Sequence, residues 1–491
     1  TRLGVVARDI GNINDYKQHE GGLTLDLDTG FGSVKSITGY STVSFYGAFD
    51  FDGSYIPITY NTSTTKEKTF QQAVDLTVTS IENFDIIVGA TYFHDKNYWS
   101  KPSINWTGLN QNSPGTVPTT IADFAPLSTG HFNMKKEAWA AYADVTFRAS
   151  DRLKLNLGGR YSEERQNVFG QVDSALAVLA RAGTHKSAKF SKFTPRASIT
   201  YELAPRTNIY ASYSKGFRSG AFNSALPANT SLWAPARQES VDAFELGFKT
   251  AGSGLRFEAA GFYYDYKDIQ VSTTKTIAGF AIVDITNAPK AKIYGLEGSF
   301  EVEPVENLTL RGSATWLHAR YGAGFTFSGV GVANSGTGGG VGINTNSDPL
   351  KTYLNVSQIQ DLSHLQMSRS PNFAAAFGVN YLIPNKDGGL RFAANVKYTD
   401  SYVITNPSVW GTGPGVPADR QRQQRFREGA YALLSASITW TDPTDHYSLR
   451  LWGTNLTDHR YRLHYTGTSN YGTYSPMAEP RVIGATAGYK F

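Results

Sequence analysis

Apolar and polar residues alternate along most of this chain with the two-residue period of a β-strand. In residues 153–161, Leu155 and Leu157 fall on one face of such a strand, and Asn156 and Arg160 fall on the other. About seventeen segments of this kind, most of them about ten to seventeen residues long, follow one another from residue 20 to the C-terminus. The pattern predicts an all-β protein.

Short and long connectors alternate between these segments. The short connectors lie at residues 28–32, 80–83, 149–151, 203–206, 251–254, 303–307, 383–389 and 441–445. The long connectors lie at residues 47–65, 95–133, 168–186, 217–236, 273–280, 322–366, 406–424 and 461–474. Tight turns at one edge of an up-and-down sheet and long loops at the other are typical of bacterial outer-membrane barrels. We therefore expect a transmembrane antiparallel up-and-down β-barrel with short periplasmic turns and long extracellular loops.

Strand length separates this interpretation from a soluble β-sandwich, whose strands alternate in the same way. Soluble strands usually have about five or six residues, whereas a tilted strand needs about nine to eleven to cross a bilayer. Aromatic residues make up 13% of the chain, which suits a barrel with aromatic girdles. The mean hydropathy of −0.32 also fits, because a barrel alternates lipid-facing with lumen-facing residues.

Composition and motifs narrow the possible chemistry. The chain has no cysteine, which excludes a disulfide scaffold and a thiolate metal site. Its histidines are scattered without an HExxH spacing, and no GxSxG motif occurs. We therefore expect no catalytic residue, no cofactor and no metal held by the protein's side chains. A net charge of +5 over 491 residues gives no basic footprint for nucleic acid.

Several motifs occur in the order found in the TonB-dependent receptor family of outer-membrane transporters. They are SITGY at 36–40, YASYSKGFRSG at 210–220, ELGFK at 245–249, FYYDYKDIQ at 262–270, YGLEG at 294–298, NLTD at 455–458 and the terminal Phe491. The chain resembles this family over almost its whole length. It is most similar to the receptors labelled as iron-complex or siderophore transporters.

The resemblance implies a barrel of about 22 strands around a plug, with the plug domain and a TonB-contacting box ahead of the barrel. We find neither of these two parts, and the opening segment TRLGVVARDI lacks the design of a signal peptide. We expect residues 1–19 to be the N-terminal segment of a truncated barrel, residues 20–491 to be the receptor β-barrel, and the plug domain to be absent from this sequence. An alternative puts Leu3 to Arg8 in an eighteenth strand, which would give the even number of a passive porin.

The resemblance also implies a function. The receptor would capture a scarce, large solute, with an iron–siderophore complex as the first candidate, and import it with energy supplied through TonB. A vitamin, a glycan and a plant-derived aromatic stay open as substrates. The implied partners of this monomer are the TonB–ExbB–ExbD complex through the plug, the barrel-assembly machinery, and lipopolysaccharide with the other outer-membrane lipids. A passive porin of about 18 strands is the rival function, and an outer-membrane enzyme is the third.

In the resembled family the solute meets the upper lumen and the outer loops, so candidate substrate-binding residues belong toward the outer ends of strands. Arg can pair with an anionic chelate, and Tyr and Trp offer flat contact area. On the predicted phase, Arg160 lies on the lumen face in the outer half of its strand, while Trp99 and Trp106 stand in a long outer loop. The substrate-binding candidates are Arg160, Tyr210, Ser212, Ser214, Arg218, Trp99 and Trp106.

Two further groups of residues suggest contacts with the membrane and its machinery. The sharpest charge cluster consists of Arg420, Arg422, Arg425 and Arg427. Because guanidinium groups grip phosphate and carboxylate, we expect this cluster to contact lipopolysaccharide phosphates or an anionic substrate, with an ordinary solvated loop as the alternative. Tyr489 and Phe491 share the lipid-facing side of the last strand, and the resemblance implies that they form an assembly signal.

Overall fold

The computed structural model describes residues 13–50, 59–101, 104–106, 128–174, 180–223, 233–252, 254–277, 280–334, 353–386, 388–413, 415–468 and 472–491. The regular elements in these ranges are all β-strands. In chain order they are β1 (Ile13–Thr29), β2 (Gly32–Asp50), β3 (Thr59–Val78), β4 (Phe84–Lys101), β5 (Ile104–Trp106), β6 (Ser128–Arg148), β7 (Leu153–Ser174), β8 (Arg181–Ala204), β9 (Thr207–Arg218), β10 (Glu239–Gly252), β11 (Leu255–Ile277), β12 (Phe280–Val305), β13 (Leu308–Tyr321), β14 (Thr326–Asn334), β15 (Tyr353–Asp361), β16 (Phe373–Asn385), β17 (Gly388–Thr399), β18 (Tyr402–Val403), β19 (Arg427–Glu428), β20 (Tyr431–Thr441), β21 (Tyr447–Thr454), β22 (Thr466–Thr468), β23 (Gly472–Tyr474) and β24 (Val482–Tyr489).

Seventeen of these strands form one antiparallel up-and-down sheet in which each strand pairs with the next. The order is β1-β2-β3-β4-β6-β7-β8-β9-β10-β11-β12-β13-β16-β17-β20-β21-β24, and the short β5 adds to β3. This confirms the predicted all-β, up-and-down barrel fold and the predicted number of segments. Within the described residues β1 and β24 are not paired, so the sheet does not close. Leu3 to Arg8, the segment predicted as part of a further strand, lies outside those residues.

Connections at one edge of the sheet are short turns, and most of those at the other edge are longer. The predicted long connector at 273–280 is wrong, because β11 continues to Ile277 and β12 begins at Phe280. Four residues of the short turns, Asn83, Arg206, Asn307 and Asp445, have φ between 59° and 66°. Three of them are Asn or Asp, which tolerate this left-handed conformation better than most residues. At the β16–β17 turn, Gly388 has a φ of 116°. The predicted short connectors are confirmed, and the two edges are named the short-turn edge and the long-loop edge.

Many strands are longer than the sequence predicted, and the excess lies at the long-loop edge. Strand β12 has 26 residues and β8 has 24. The predicted connector at 95–133 is therefore too long, because β4 continues to Lys101 and β6 begins at Ser128. The physical reason is that residues beyond the apolar part of each strand are polar on both faces. The alternation that marks a strand fades there, although the backbone pairing continues.

The two faces of the sheet differ in polarity. On one face, aliphatic and aromatic side chains from successive strands are exposed, and this belt is named the apolar band. Its members include Leu27, Val74, Leu157, Leu246, Leu296, Phe377, Val396 and Leu451. The opposite face, named the inner face, carries polar and charged side chains. A continuous exposed apolar surface of this extent is unfavourable in water and marks a face that contacts another apolar medium.

Candidate functional site

Charged and polar side chains on the inner face are joined into networks across neighbouring strands. Arg196 of β8 donates hydrogen bonds to Asp144 of β6, with its Nη2 2.6 Å from Oδ2. Asn156 of β7 donates to the other oxygen of the same carboxylate at 2.7 Å. Tyr142 donates to Asp75 on β3. The inner face is therefore a hydrogen-bonded polar wall, which suits contact with water or a polar solute rather than lipid.

Arg160 belongs to this wall. Its Nη2 donates to Thr91 at 2.9 Å, its Nε donates to Ser162 at 3.0 Å, and its guanidinium lies 5.2 Å from the ring centre of Tyr142. The inner-face position agrees with the predicted alternation. The predicted position in the outer half of the strand is wrong. Strand β7 extends to Ser174, so Arg160 lies in the half nearer the short turns.

Strand β9 carries four of the predicted residues along its inner face. The register pairs Ser212 with Glu245 and Arg218 with Glu239 of β10. Tyr210 donates to Glu245 at 2.5 Å, near the short-turn edge, and Ser214 lies between Ser212 and Arg218. The strand therefore presents a polar track that begins near the short turns and ends with the exposed Arg218 at the long-loop edge.

Trp99 and Trp106 lie in strands rather than in a loop, so that part of the prediction is wrong. Trp106 belongs to the short β5 and pairs with Thr59 of β3. Trp99 is near the end of β4, and its ring meets that of Phe132 edge-on at 6.5 Å. It packs against a buried cluster that consists of Phe132, Val168, Phe222 and Trp233.

Phe222 and Trp233 come from the β9–β10 loop, of which residues 219–223 and 233–238 are described. Trp233 is 3% exposed, and its indole N–H donates to the carbonyl of Asn223 at 2.9 Å. Gln166 of β7 donates to the Gly220 carbonyl at 2.8 Å. The loop thus lies over the inner face at the long-loop edge. The sequence predicts a long outer loop at 217–236 without docking, and two aromatic residues in this polar segment are the only local signal that the loop packs against the sheet.

A second packed assembly covers the outer ends of β11, β12 and β13. The β14–β15 hairpin and the connection between β17 and β20 meet there in a cluster that includes Ile269, Phe325, Leu362 and Val409. The side-chain carbonyl of Gln360 accepts a hydrogen bond from the Val409 N–H at 2.7 Å. Part of the predicted 322–366 loop is therefore a docked hairpin. The glycine-rich segment 336–342 lies outside the described residues.

The structure does not gather the four predicted arginines into one exposed cluster. Arg425 is buried, which lowers its pKa to about 10, and it donates to the Val330 carbonyl at 3.3 Å. Arg427 donates to Gln366 at 2.9 Å, and Arg422 lies 3.6 Å from the carboxylate of Asp361. The guanidinium of Arg420 lies over a tryptophan ring. Anion binding by these residues stays a prediction.

Two other predictions concern the chain end and metals. Tyr489 pairs with Tyr447 of β21, their rings are 5.1 Å apart, and Phe491 is fully exposed beyond the strand. Their role as an assembly signal stays a prediction. No group of three His, Asp or Glu side chains among the described residues is placed to hold a metal ion. In the same residues, no helix is long and apolar enough to cross a membrane.

Residues 4–456 match the family model described as "TonB dependent receptor-like, beta-barrel". Among curated proteins, the chain is 22% identical over 338 residues to the pesticin receptor of Yersinia pestis, a match that covers 68% of this chain and 41% of the relative. It is 24% identical over 308 residues to the rhizobactin receptor of Rhizobium meliloti, which covers 56% of this chain and 39% of the relative. The chain therefore spans about two fifths of the length of these relatives.

Solved structures share the fold. The ferric yersiniabactin uptake receptor FyuA from Yersinia pestis superposes with a TM-score of 0.70 at 16% identity, over 98% of this chain and 61% of that one. The siderophore receptor PiuA from Acinetobacter baumannii superposes with a TM-score of 0.69 at 17% identity, over 98% of this chain and 65% of that one. The copper transporter OprC superposes with a TM-score of 0.64 at 14% identity, over 99% of this chain and 67% of that one. Neighbours with one fold thus carry names that refer to different cargoes.

Proposed function

Because this chain belongs to the TonB dependent receptor-like β-barrel family, we propose that it forms the wall of an outer-membrane receptor that imports a scarce, large solute. An iron–siderophore complex is the first candidate, since the relatives include pesticin and rhizobactin receptors. Energy reaches the solute-loaded receptor through TonB and its ExbB–ExbD partners. The step is transport without covalent chemistry.

The height of the wall is the observation that carries this proposal. The 26 residues of β12 extend about 85 Å along the strand at about 3.3 Å each. At a tilt of about 45° this gives a wall roughly 60 Å high at its tallest strand, whereas the apolar band of such barrels is about 25 Å. Roughly half of the wall therefore stands clear of the hydrocarbon at β12. A tall outer vestibule favours capture of a rare solute over simple diffusion.

This function fixes the orientation of the sheet. The apolar band faces lipid, the short turns face the periplasm, and the long-loop edge faces the medium. Arg218 then meets the solute first, and Trp99 and Trp106 stay candidates for contact with it at the same end of the sheet. Arg160, Tyr210, Ser212 and Ser214 line the later part of its path along the inner face. Iron travels inside its chelator, so the solute binds through the chelator's own oxygen atoms and rings rather than through metal ligands from the protein.

Uptake of a labelled ferric siderophore by an iron-starved strain that lacks its own receptors tests the proposal. Cells that express the full-length protein should accumulate iron, and deletion of the tonB gene in the same strain should abolish accumulation. Surface amounts of the protein, measured by immunoblot of outer membranes, must be equal in the two strains. Accumulation that is unchanged without TonB contradicts active transport and favours the passive porin.

A further inference from the structure

A transverse groove of about 960 Å³ crosses seven strands, from β1 to β8, beyond the apolar band on the long-loop side. Two rows of side chains form its sides, and the residues between the rows point to the inner face. The feature is named the basic groove, because its lining includes Lys17, His19, Lys66, Lys68, Lys96, Lys135, His185 and Lys186.

The basic groove lies on the same face as the apolar band. Lys68 is six residues from Val74 on β3, and Lys96 is four residues from Tyr92 on β4. Lys135 is four residues from Trp139 on β6. Even spacings keep side chains on one face of a strand, and the three apolar partners are 42–46% exposed members of that face.

Three lysines of the groove are direct neighbours across the sheet. The register pairs Lys68 with Lys96 and Lys96 with Lys135. Like charges directly opposite one another destabilise a sheet. Glu137 lies 2.8 Å from Lys135 and also contacts His94. Within the described parts of the chain, no carboxylate lies within ion-pair distance of Lys66, Lys68 or Lys96. The groove therefore carries positive charge that the sheet itself does not neutralise.

The height of the groove lysines above the apolar band identifies the kind of group that could neutralise their positive charge. Tyr92 and Trp139 lie at the upper border of the band, where aromatic side chains of a barrel meet the lipid headgroups. Four residues further along a strand correspond to about 13 Å, or roughly 10 Å of height at the usual tilt. The lysines thus lie level with lipid phosphates, and the aliphatic and aromatic side chains below them can pack against acyl chains.

We propose that the basic groove binds the headgroup of an outer-leaflet glycolipid, a glucosamine disaccharide with two phosphates and attached acyl chains. Two phosphates along the groove would separate and neutralise the opposed ammonium groups of Lys68, Lys96 and Lys135. The inference rests on the proposed function, because that function places the groove in the outer leaflet. It assigns the glycolipid contact to lysines of the sheet rather than to the arginines of the β17–β20 connection.

The test is binding of dye-labelled bis-phosphorylated lipid A to the purified, delipidated full-length receptor, measured by fluorescence anisotropy. The variant Lys66→Gln/Lys68→Gln/Lys96→Gln should bind at least about tenfold more weakly, since each basic residue near an anionic headgroup contributes about fivefold before salt screening. The matched control Lys154→Gln/Lys192→Gln/Lys397→Gln removes the same charge from the inner face and should bind like the parent. Both triple variants must show the heat-dependent gel shift of a folded barrel.

Three further measurements separate the possible outcomes. Monophosphorylated lipid A should bind more weakly than the bis-phosphorylated form, and millimolar inorganic phosphate should not displace it. Equal binding by the parent and the groove variant, equal weakening of both triple variants, or displacement by inorganic phosphate would overturn the proposal. Ferric siderophore uptake is measured in parallel. Normal uptake without lipid A binding rejects the groove alone, whereas lipid A binding without uptake rejects the transport function alone.

Discussion

Replacement of Trp233 by Ala should release the β9–β10 loop from the inner face. Trp233 is 3% exposed and meets the rings of Phe132 and Phe222 edge-on at 6.0 and 5.4 Å. Truncation of a buried aromatic residue to Ala costs about 3–5 kcal/mol. The substitution also removes the hydrogen bond from the indole to Asn223. We therefore expect the docked loop to lose at least about 3 kcal/mol.

Hydrogen–deuterium exchange measures this loss directly, because opening of the loop can be followed apart from unfolding of the sheet. A loss of 3 kcal/mol corresponds to a roughly hundredfold fall in protection, at about 1.4 kcal/mol per factor of ten. The fall should be confined to peptides that contain residues 219–223 or 233–238. Peptides from β20 and β21 lie far along the sheet and should keep the parent's exchange rates.

Trp316→Ala is the matched control. Trp316 is 46% exposed on the lipid-facing side of β13, so its removal deletes the same side chain without contact to the β9–β10 loop. Protection of the loop should be unchanged in this variant. If Trp233→Ala leaves protection of the loop within about threefold of the parent, the packing of Trp233 does not hold the loop, and the energetic reasoning is wrong.

Three further predictions concern the turns, acid sensitivity and assembly. Gly388→Ala should lower refolding yield, because a Cβ there would overlap the Thr441 carbonyl at a φ of 116°; Gly252→Ala, which meets open space, should refold like the parent. Hydrogen bonds from the side chain and the backbone N–H of Ser363 lower the pKa of Asp361. Its stabilising effect on the β14–β15 hairpin is therefore present above the unfolded pKa of about 4 and lost as the pH falls through the lower folded value. Exchange protection of the hairpin should fall over that acid range in the parent and stay flat in Asp361→Asn. Deletion of Phe491 should reduce the outer-membrane amount of the protein at an unchanged transcript level, and an unchanged amount would contradict the assembly role.

The order of strands and the facing of side chains could be predicted from the sequence, because both depend on local patterns. A period of two places Leu155 and Leu157 opposite Asn156 whatever the neighbouring strands are. Turn residues such as Asn307 and Asp445 mark the short edge in the same local way. The family motifs added the barrel type, since they occur in one order along the whole chain.

The outer end of the molecule could not be predicted, because long-range contacts determine it. The sequence predicts a loop at Trp99, yet this residue lies in a strand and packs against a loop more than a hundred residues further along the chain. Arg425 stands among other arginines in the sequence, yet it is buried beneath the β14–β15 hairpin. Beyond the lipid both faces of a strand are polar, so the alternation no longer marks where the strand ends.

Charge pairing along the inner face indicates where an anionic solute can bind tightly and where it can bind only weakly. Near the short-turn edge two cations of the inner face have carboxylate partners: Arg311 lies 2.6 Å from Glu301, and Arg196 lies 2.6 Å from Asp144. An anionic solute there would have to displace a carboxylate, so it gains little by stopping. Of the residues described at the long-loop end, Arg218 is exposed and has no ion pair within 4 Å. A transport path needs binding that is strong at the entrance and weak further in. We therefore expect affinity to depend on Arg218, and expect the paired cations to affect the rate of passage.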